Sequence, residues 1–385
     1  MPKRARASVP CRGLAPTSVV HMTSEDADSG RGSAEFRGVR ATGAVEHIDA
    51  RRDGHRLAES GFWVVVGDFD GRVDAWRMED VERTPGAPAR TGRTWRGPAA
   101  DGWVSSLSRD QYVAGVERIR HDIREGEVYQ VNLCRMLEAP LNAEAPGPDA
   151  VALSEKLAAG NPARYASRIV IPAGVPRASA PGTWIVSASP ELYLAVDGAT
   201  VRSSPIKGTA APGEAMLDKD VAENVMITDL VRNDLSHVAV PGSVRVPELL
   251  GERAHPGLTH LESTVEVTLA DDACWTPTMW RELFDGTFPP GSVSGAPKSS
   301  ALAIIAREES VARGPYCGAI GWVDADARRA ELAVGIRTFV WRDGRLRFGT
   351  GAGITWGSDP YGEWAETELK ASRLIALASA ERMQP

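Results

Sequence analysis

The chain has 385 residues, of which 43% are hydrophobic and 25% are charged, so it has ample apolar material for a large core. Its 44 basic and 51 acidic side chains give a formal net charge of −7, which argues against nucleic-acid binding, because phosphate contacts usually need a basic surface. The four cysteines have neither metal-ligand nor redox spacing and indicate a reducing compartment. No apolar stretch approaches about 18 residues and the N-terminus lacks a signal-peptide core, so we expect a cytoplasmic protein without a membrane span.

The N-terminal part of the sequence divides into a tail and a short β region. Residues 1–35 are rich in Arg, Ser, Ala, Asp and Gly without a hydrophobic period, which predicts disorder. Regular structure is expected from about Gly61, because the run at 62–69 predicts a strand and the alternation at 72–78 predicts its hairpin partner. A loop rich in Pro, Gly and Thr follows, so we expect a short N-terminal β region over 36–105.

The remaining segment, 108–381, mixes helical and strand patterns. Helices are predicted between the N-cap Ser108 and Gly126, and at 149–159, 218–235, 301–310 and 362–381. Strands are predicted at 128–137, 183–189, 192–196, 200–205, 259–269, 318–324, 329–341 and 345–353. Because strands outnumber helices and often follow one another directly, the pattern favours an α+β fold over regular βαβ alternation.

Two predicted helices carry pairs of acidic residues. Asp220 and Glu223 are three positions apart, as are Glu363 and Glu366, so each pair projects from one helix face. If the two faces meet, their oxygens suit magnesium, which takes one or two carboxylates together with substrate oxygens. The alternative is two solvated helix faces, and the spacing alone leaves both interpretations open.

Two glycine-rich turns and two single residues are further candidates. The turns at 349–354 and 289–299 could present backbone N–H groups to an anion, but neither matches a dinucleotide or phosphate-loop motif, and ordinary turns are the alternative. Lys207 follows a predicted strand, where a lysine is usually a surface residue, although a desolvated amine can act as a nucleophile. For His260 the alternative is a structural role.

Ten stretches of the sequence together resemble one family. They are 126–133, 187–194, 204–210, 222–235, 259–267, 289–298, 315–324, 333–340, 349–354 and 363–370. In family order, and over about 108–375, they resemble the chorismate-utilising enzymes, which include component I of anthranilate and aminodeoxychorismate synthases and the isochorismate and salicylate synthases. The resemblance implies that 108–381 is a chorismate-binding catalytic domain. It also implies an α+β fold of large antiparallel sheets, packed in a sandwich with helices around them.

Two positions indicate the branch within this family. Family members that add water to chorismate carry a lysine base where this chain has Gln130, so the resemblance argues against water activation. The anthranilate branch typically has alanine where this chain has Lys207, whereas lysine is typical of aminodeoxychorismate synthases. The resemblance thus implies component I of an aminodeoxychorismate synthase, which makes 4-amino-4-deoxychorismate from chorismate and ammonia on the route to 4-aminobenzoate and folate. The alternatives are anthranilate or 2-amino-2-deoxyisochorismate synthase component I and, from another class, a non-catalytic subunit that docks an amidotransferase.

The resemblance also implies a role for each matching residue. Lys207 would form a covalent intermediate, and Glu191 would be the general acid, which requires a raised pKa. Magnesium would be held by the two acidic helices, with Asp220 and Glu366 supporting Glu223 and Glu363. The residues expected to bind or line the chorismate site are Thr209, His260, Tyr316, Arg337, Gly351, Gly353 and Lys370.

The sequence also bears on the source of ammonia. We find no nucleophilic cysteine flanked by glycines with a downstream His/Glu pair, which is the pattern of a glutaminase. The resemblance therefore implies a separate glutamine amidotransferase subunit, component II, as partner. We find no LLES-like motif of tryptophan feedback, so control by tryptophan is not expected.

Overall fold

The computed structural model describes residues 30–83, 91–210, 215–216, 218–255, 258–270 and 273–380. Within these ranges the side chains of 209, 210, 254, 255 and 258 are not described. Most of the predicted tail and the part of the predicted loop at 84–90 lie outside the described residues.

The described elements alternate irregularly along the chain, as the α+β prediction requires. The helices are α1 (Ala50–Asp53), α2 (Arg56–Glu59), α3 (Arg109–Arg124), α4 (Ala150–Gly160), α5 (Asp218–Ser236), α6 (Met279–Thr287), α7 (Lys298–Glu308) and α8 (Pro360–Ala378). The strands are β1 (Ser33–Phe36), β2 (Val39–Asp49), β3 (Phe62–Gly67), β4 (Val73–Arg83), β5 (Val104–Ser105), β6 (Gln130–Pro140), β7 (Tyr165–Ile171), β8 (Thr183–Ser189), β9 (Leu192–Asp197), β10 (Thr200–Ser204), β11 (Ile206–Ala210), β12 (Arg245–His255), β13 (Leu258–Thr268), β14 (Gly295–Ala296), β15 (Ala319–Asp324), β16 (Arg329–Val334), β17 (Thr338–Arg342) and β18 (Arg345–Ile354). None of the described helices is long and apolar enough to cross a membrane.

The strands pair in antiparallel fashion into one continuous, curled sheet. From one edge the order is β12, β13, β10, β9, β16, β15, β3, β4, β2, β1, β7, β8, β17, β18 and β6. At the other edge, β5 and β14 pair with β6. Near the first edge, β11 pairs with β13 alongside β10. The N-terminal strands are therefore integral to the sheet that carries the candidate site.

Burial on both faces explains the uninterrupted apolar run of β3. Phe62, Val64 and Val66 belong to the core enclosed by the curled sheet, together with side chains of β1, β4, β7, β8 and β15. Trp63 and Val65 point into the larger core on the other face, beneath α5, α6 and α7. A strand that is covered on both faces has a continuous run of hydrophobic residues instead of an alternating pattern. The run at 62–69 therefore predicted a strand correctly.

Local capping interactions set the starts of the helices that flank the site. The Ser108 hydroxyl accepts a hydrogen bond from the Gln111 N–H at 3.3 Å, and the Gln111 side chain accepts one from the Ser108 N–H at 2.8 Å. This capping box confirms the predicted start of α3. At the start of α8, Asp359 accepts a hydrogen bond from the Gly362 N–H at 2.6 Å. That cap fixes Glu363 in the first turn of the helix.

Two predictions about the strands are wrong. Regular structure begins before Gly61, because β1 starts at Ser33 and pairs with both β2 and β7. The strand predicted over 329–341 is divided into β16 and β17, since the first pairs with β9 and β15 and the second with β8 and β18. The chain changes partners at Arg337, which has a φ of 51°. The elements that were also not predicted are helices α1, α2 and α6 and strands β2, β5, β7, β11, β12 and β14.

Candidate active site

Three strands bring Lys207, Gln130 and Gly353 together. Lys207 is a half-buried residue of β11, Gln130 begins β6 with 2% of its surface exposed, and Gly353 lies near the end of β18. A Cβ on Gly353 would overlap the Gln130 side-chain nitrogen and lie 3.4 Å from the Nζ of Lys207. The Lys207 and Gln130 side chains therefore both lie beside Gly353, where a larger residue would overlap Gln130.

Glu191 is a buried acid beside this group. It follows β8 in a Ser-Pro-Glu turn and is 4% exposed. Burial raises its pKa to about 7, although the Ser292 side chain, the Lys207 charge, the Ile206 N–H and the Arg337 charge all act in the opposite direction. Its Oε1 atom has no hydrogen-bond partner among the described residues. The carboxyl can thus hold a proton near neutral pH, as a general acid must.

Arg337 and its neighbour His260 form a second part of the site, in which Arg337 supplies the positive charge. The NH2 nitrogen of Arg337 lies 3.2 Å from Nε2 of His260, and Nδ1 of the same ring lies 3.1 Å from the Gly208 carbonyl oxygen. Since a guanidinium only donates, Nε2 is the acceptor and Nδ1 carries the proton. Burial lowers the pKa of Arg337, whereas Glu191 acts to raise it. His260 lies opposite Thr209 in the pairing of β13 with β11, but the Thr209 side chain lies outside the described part of the chain.

The acidic faces of α5 and α8 do meet, and a lysine lies between them. Nζ of Lys219 lies 3.6 Å from Oε1 of Glu223 and 3.4 Å from Oε1 of Glu363. Burial is the main cause of the raised pKa of Glu223, with Glu366 and Glu363 adding to it and Lys207 and Lys219 opposing it. The alternative of two separate solvated faces is therefore excluded for Glu223 and Glu363.

Glu366 and Asp220 lie at the margins of this acidic group. Nζ of Lys370 lies 2.5 Å from Oε1 of Glu366 and also donates to the Gly351 carbonyl at 3.3 Å. Burial acts to raise the pKa of Glu366, but Lys370, Lys207 and Lys219 together lower it. Asp220 packs on β11, since a Cβ on Gly208 would lie 2.8 Å from the Asp220 Cβ.

Four acidic side chains of α5 and α8 are the predicted magnesium ligands. Among the described residues, no three His, Cys, Asp or Glu side chains are close enough to form a metal centre. Of these four side chains, Glu223 and Glu363 both lie within 4 Å of one cation, the Lys219 ammonium. The Oε1 atom of Glu223 also has no hydrogen-bond partner among the described residues. Two carboxylates with spare oxygens are a donor set that magnesium accepts.

Tyr316 occupies a different environment from Arg337 and His260. It is 5% exposed, and the Cys134 thiol donates to its hydroxyl at 3.8 Å. Its ring fills the space that a side chain on Gly349 would need, and Cys134 does the same at Gly351. Tyr316 thus lies against the middle of β18, next to the predicted glycines.

Sequence reasoning missed two residues at the site. Lys219 stands between two aspartates at the start of α5, where nothing in the pattern separates it from a solvent-exposed lysine. Ser292 lies in a single helical turn at Gly291–Val293, within a glycine-rich stretch that the resemblance included but to which it gave no residue role. Lys219 contacts Glu223 and Glu363, and the Ser292 side chain acts to lower the pKa of Glu191. These relationships join segments remote in sequence, so only the fold reveals them.

A buried acid with a raised pKa, a lysine amine and an acidic helix pair at one site are the features expected of an enzyme active site. The model of the chorismate binding enzyme family matches residues 63–376. The chain belongs to this family, as the sequence resemblance predicted.

The curated relatives include two kinds of enzyme. Anthranilate synthase component 1 of Streptomyces coelicolor is 35% identical over 322 residues, which cover 78% of this chain and 59% of that protein. Aminodeoxychorismate synthase component 1 of Salmonella typhimurium is 32% identical over 285 residues, covering 71% of this chain and 58% of that protein. The chain therefore spans somewhat over half the length of these relatives.

Solved structures share the fold over nearly the whole chain. A 2,3-dihydroxybenzoate-specific isochorismate synthase from Bacillus anthracis matches with a TM-score of 0.72 at 22% identity, covering 92% of this chain and 97% of that one. Anthranilate synthase component I from Streptococcus pneumoniae matches with a TM-score of 0.70 at 20% identity, covering 94% and 95%. These likenesses confirm the predicted chorismate-binding fold.

Proposed function

We propose that this chain is component I of an aminodeoxychorismate synthase, which converts chorismate and ammonia into 4-amino-4-deoxychorismate. The observation that carries the proposal is the position of Lys207, whose Nζ would lie 3.4 Å from a Cβ on Gly353 and whose charge acts on Glu191. This arrangement pairs a nucleophile with an acid that is half-protonated near neutral pH. The identities of 35% and 32% do not separate the two kinds of relative, so the residues carry the distinction.

In this proposal chorismate is held by opposite charges at its two carboxylates. Arg337, fixed by His260, would grip the enolpyruvyl carboxylate, a task that suits a guanidinium fork. Backbone N–H groups of Gly351 and Gly353 would add donors, and Tyr316 lies against the neighbouring Gly349. Glu223 and Glu363 would hold magnesium, supported by Asp220, Glu366 and Lys370. When bound, the ion would neutralise these carboxylates and supply positive charge to the ring carboxylate of chorismate.

The chemistry assigned to the protein uses Lys207 and Glu191. The Lys207 amine adds at ring carbon 2 while the bond between carbon 4 and its hydroxyl breaks. Glu191 donates its proton to that hydroxyl, which leaves as water. Ammonia then attacks carbon 4, the bond between Lys207 and carbon 2 breaks, and the surplus proton returns to Glu191. The product carries nitrogen on carbon 4 and retains the enolpyruvyl group.

Ammonia is assigned to a separate glutamine amidotransferase subunit. The support is the lack of a glutaminase pattern in this sequence, together with the pairing implied by the component 1 names of the relatives. The product would serve 4-aminobenzoate and folate synthesis.

The test is to identify the product. Purified chain is incubated with chorismate, magnesium chloride and ammonium chloride, and the products are separated and weighed by mass spectrometry. We expect 4-amino-4-deoxychorismate, its loss in a Lys207→Ala variant, and a trapped adduct on Lys207. Lys156→Ala, on α4, is the matched control and should keep activity. A Lys207→Ala variant that retains full amination at carbon 4 contradicts the proposal.

A second candidate is anthranilate synthase component I, favoured by the 35% identity to the Streptomyces coelicolor enzyme. The same assay separates the two, because anthranilate carries nitrogen on carbon 2 and has lost pyruvate.

A further inference from the structure

We propose that Lys219 is a resident counter-ion of the acidic pair, which a divalent metal must displace in order to bind. The inference rests on the magnesium assignment within the proposed function. It gives a role to a residue that neither the sequence motifs nor the proposed mechanism uses.

The geometry places the Lys219 ammonium where a bridging cation would lie. Its Nζ is 3.4 Å from Oε1 of Glu363 and 3.6 Å from Oε1 of Glu223, so it spans the gap between α8 and α5. The side chain of Glu363 is 4% exposed and that of Glu223 is 15% exposed. Two buried carboxylates on facing helices repel one another unless a positive charge lies between them. Lys219 provides that charge.

The position of Lys219 also allows its ammonium to be displaced from the two carboxylates. Its side chain is 49% exposed, so the ammonium reaches the two carboxylates from the solvent side on a flexible stem. The contact to Glu223 is too long for a hydrogen bond, which leaves an oxygen of that carboxylate available as a ligand. A divalent ion held by Glu223 and Glu363 would compete with the ammonium for these carboxylates and repel it.

Lys370 provides a contrast in the same cluster. It pairs with Glu366 at 2.5 Å and with the Gly351 carbonyl at 3.3 Å, so it does not lie between Glu223 and Glu363. Removing Lys370 takes away one nearby positive charge without emptying the bridging position. It therefore separates displacement from a general change in electrostatics.

Titration calorimetry of the full chain with magnesium chloride tests the inference. The dissociation constant should fall by about three- to tenfold in Lys219→Met, because the metal no longer competes with an ion pair. Lys219→Arg should bind like the native chain, and Lys370→Met, which frees Glu366 but leaves the Lys219 bridge in place, should lower the constant by a smaller factor than Lys219→Met does. An unchanged or weaker affinity in Lys219→Met, or an equal gain in Lys370→Met, overturns the inference.

Labelling of lysines provides a second readout that is independent of activity. With an amine-specific reagent and mass spectrometry, modification of Lys219 should increase when magnesium is added, while that of Lys370 should not. Protection of Lys219 by magnesium contradicts displacement. If the native chain takes up no magnesium at millimolar concentrations, the metal assignment and this inference both fail, whereas the product assay decides the amination separately.

Discussion

The ring of His260 accepts a hydrogen bond from the guanidinium of Arg337 at 3.2 Å. Because the other ring nitrogen bonds to the Gly208 carbonyl at 3.1 Å, the histidine links Arg337 to the strand that carries Lys207. The binding cation and the nucleophile are thereby held in one rigid arrangement.

Replacing His260 by phenylalanine should weaken substrate binding more than catalysis. The variant keeps the ring volume but removes the acceptor that orients Arg337, so the KM for chorismate should rise by about tenfold with a smaller change in kcat. Initial rates across chorismate concentrations measure both. His47→Phe is the control, since His47 is also buried but pairs with Asp74. A fall in kcat at unchanged KM would assign His260 to the chemistry itself.

The pKa of Glu191 predicts how activity depends on pH. With a pKa of about 7 the acid is protonated below that value, so the rate of amination should fall as pH rises through about 7. The measurement is kcat/KM for chorismate at a constant concentration of free ammonia. Glu191→Gln should lose about 100-fold or more in kcat, and a variant that keeps most of the activity would refute the acid assignment.

The raised pKa of Glu191 also predicts how the unfolding free energy depends on pH. The pKa of Glu191 in the folded chain, about 7, lies above its ordinary value of 4.5. Its contribution to the unfolding free energy is therefore fully present below pH 4.5 and is lost as the pH rises through about 7. Relative to Glu191→Gln, the native chain should lose up to about 3 kcal/mol of unfolding free energy across this window. Urea unfolding at several pH values measures it, and parallel pH profiles for the two proteins would contradict it.

Adding a methyl group at Gly353 should disturb the site directly. Gly353→Ala places its Cβ on the Gln130 side-chain nitrogen and close to Lys207, so activity should be lost. Crowding of this kind costs about 1–3 kcal/mol of stability. Thermal unfolding and the product assay measure both effects. Gly357→Ala is the matched control, because its Cβ would meet no described atom within 4 Å and should change neither.

Arg313 should be a large contributor to stability. It is 5% exposed, pairs with Glu309 at 2.5 Å, and donates to the carbonyls of Val293 and Asn132 at 2.9 and 2.7 Å. Arg313→Met leaves the carboxylate buried without its cation, which should reduce the unfolding free energy by about 3–5 kcal/mol. Urea unfolding at neutral pH measures the change.

An exposed pair provides the comparison for Arg313. Arg329 and Asp197 lie 3.0 Å apart, but their side chains are 58% and 66% exposed. Arg329→Met should therefore reduce the unfolding free energy far less than Arg313→Met does. Equal losses in the two variants would mean that burial does not decide the strength of these ion pairs.

The sequence predicted those elements whose apolar patterns are local. The continuous run of β3 and the N-cap residue Ser108 each identified an element correctly. The division at Arg337 was missed because the apolar pattern continues across it, and the change of strand partners that causes the break is a long-range property. Strand β1 was missed because its four residues are too short for a periodic pattern.

The candidate site was only partly predictable for the same reason. Helical spacing indicated the acidic faces of α5 and α8, but only the fold places Glu223 opposite Glu363. The role of Lys207 came from the family resemblance and not from its local pattern. Lys219 could not be identified in either way, because its significance lies in the distance between two helices remote in sequence.

The pairing of β3 with β15 has a consequence for how the chain is made. One edge of β3 is covered by its neighbour β4, but the other edge pairs with Ala319–Asp324, which leave the ribosome much later. Until then the nascent chain carries an open, strongly apolar strand edge, the kind of surface on which unrelated chains aggregate. Overproduction at reduced temperature or with chaperones should therefore raise the yield of native protein by shielding this edge until its partner is synthesised.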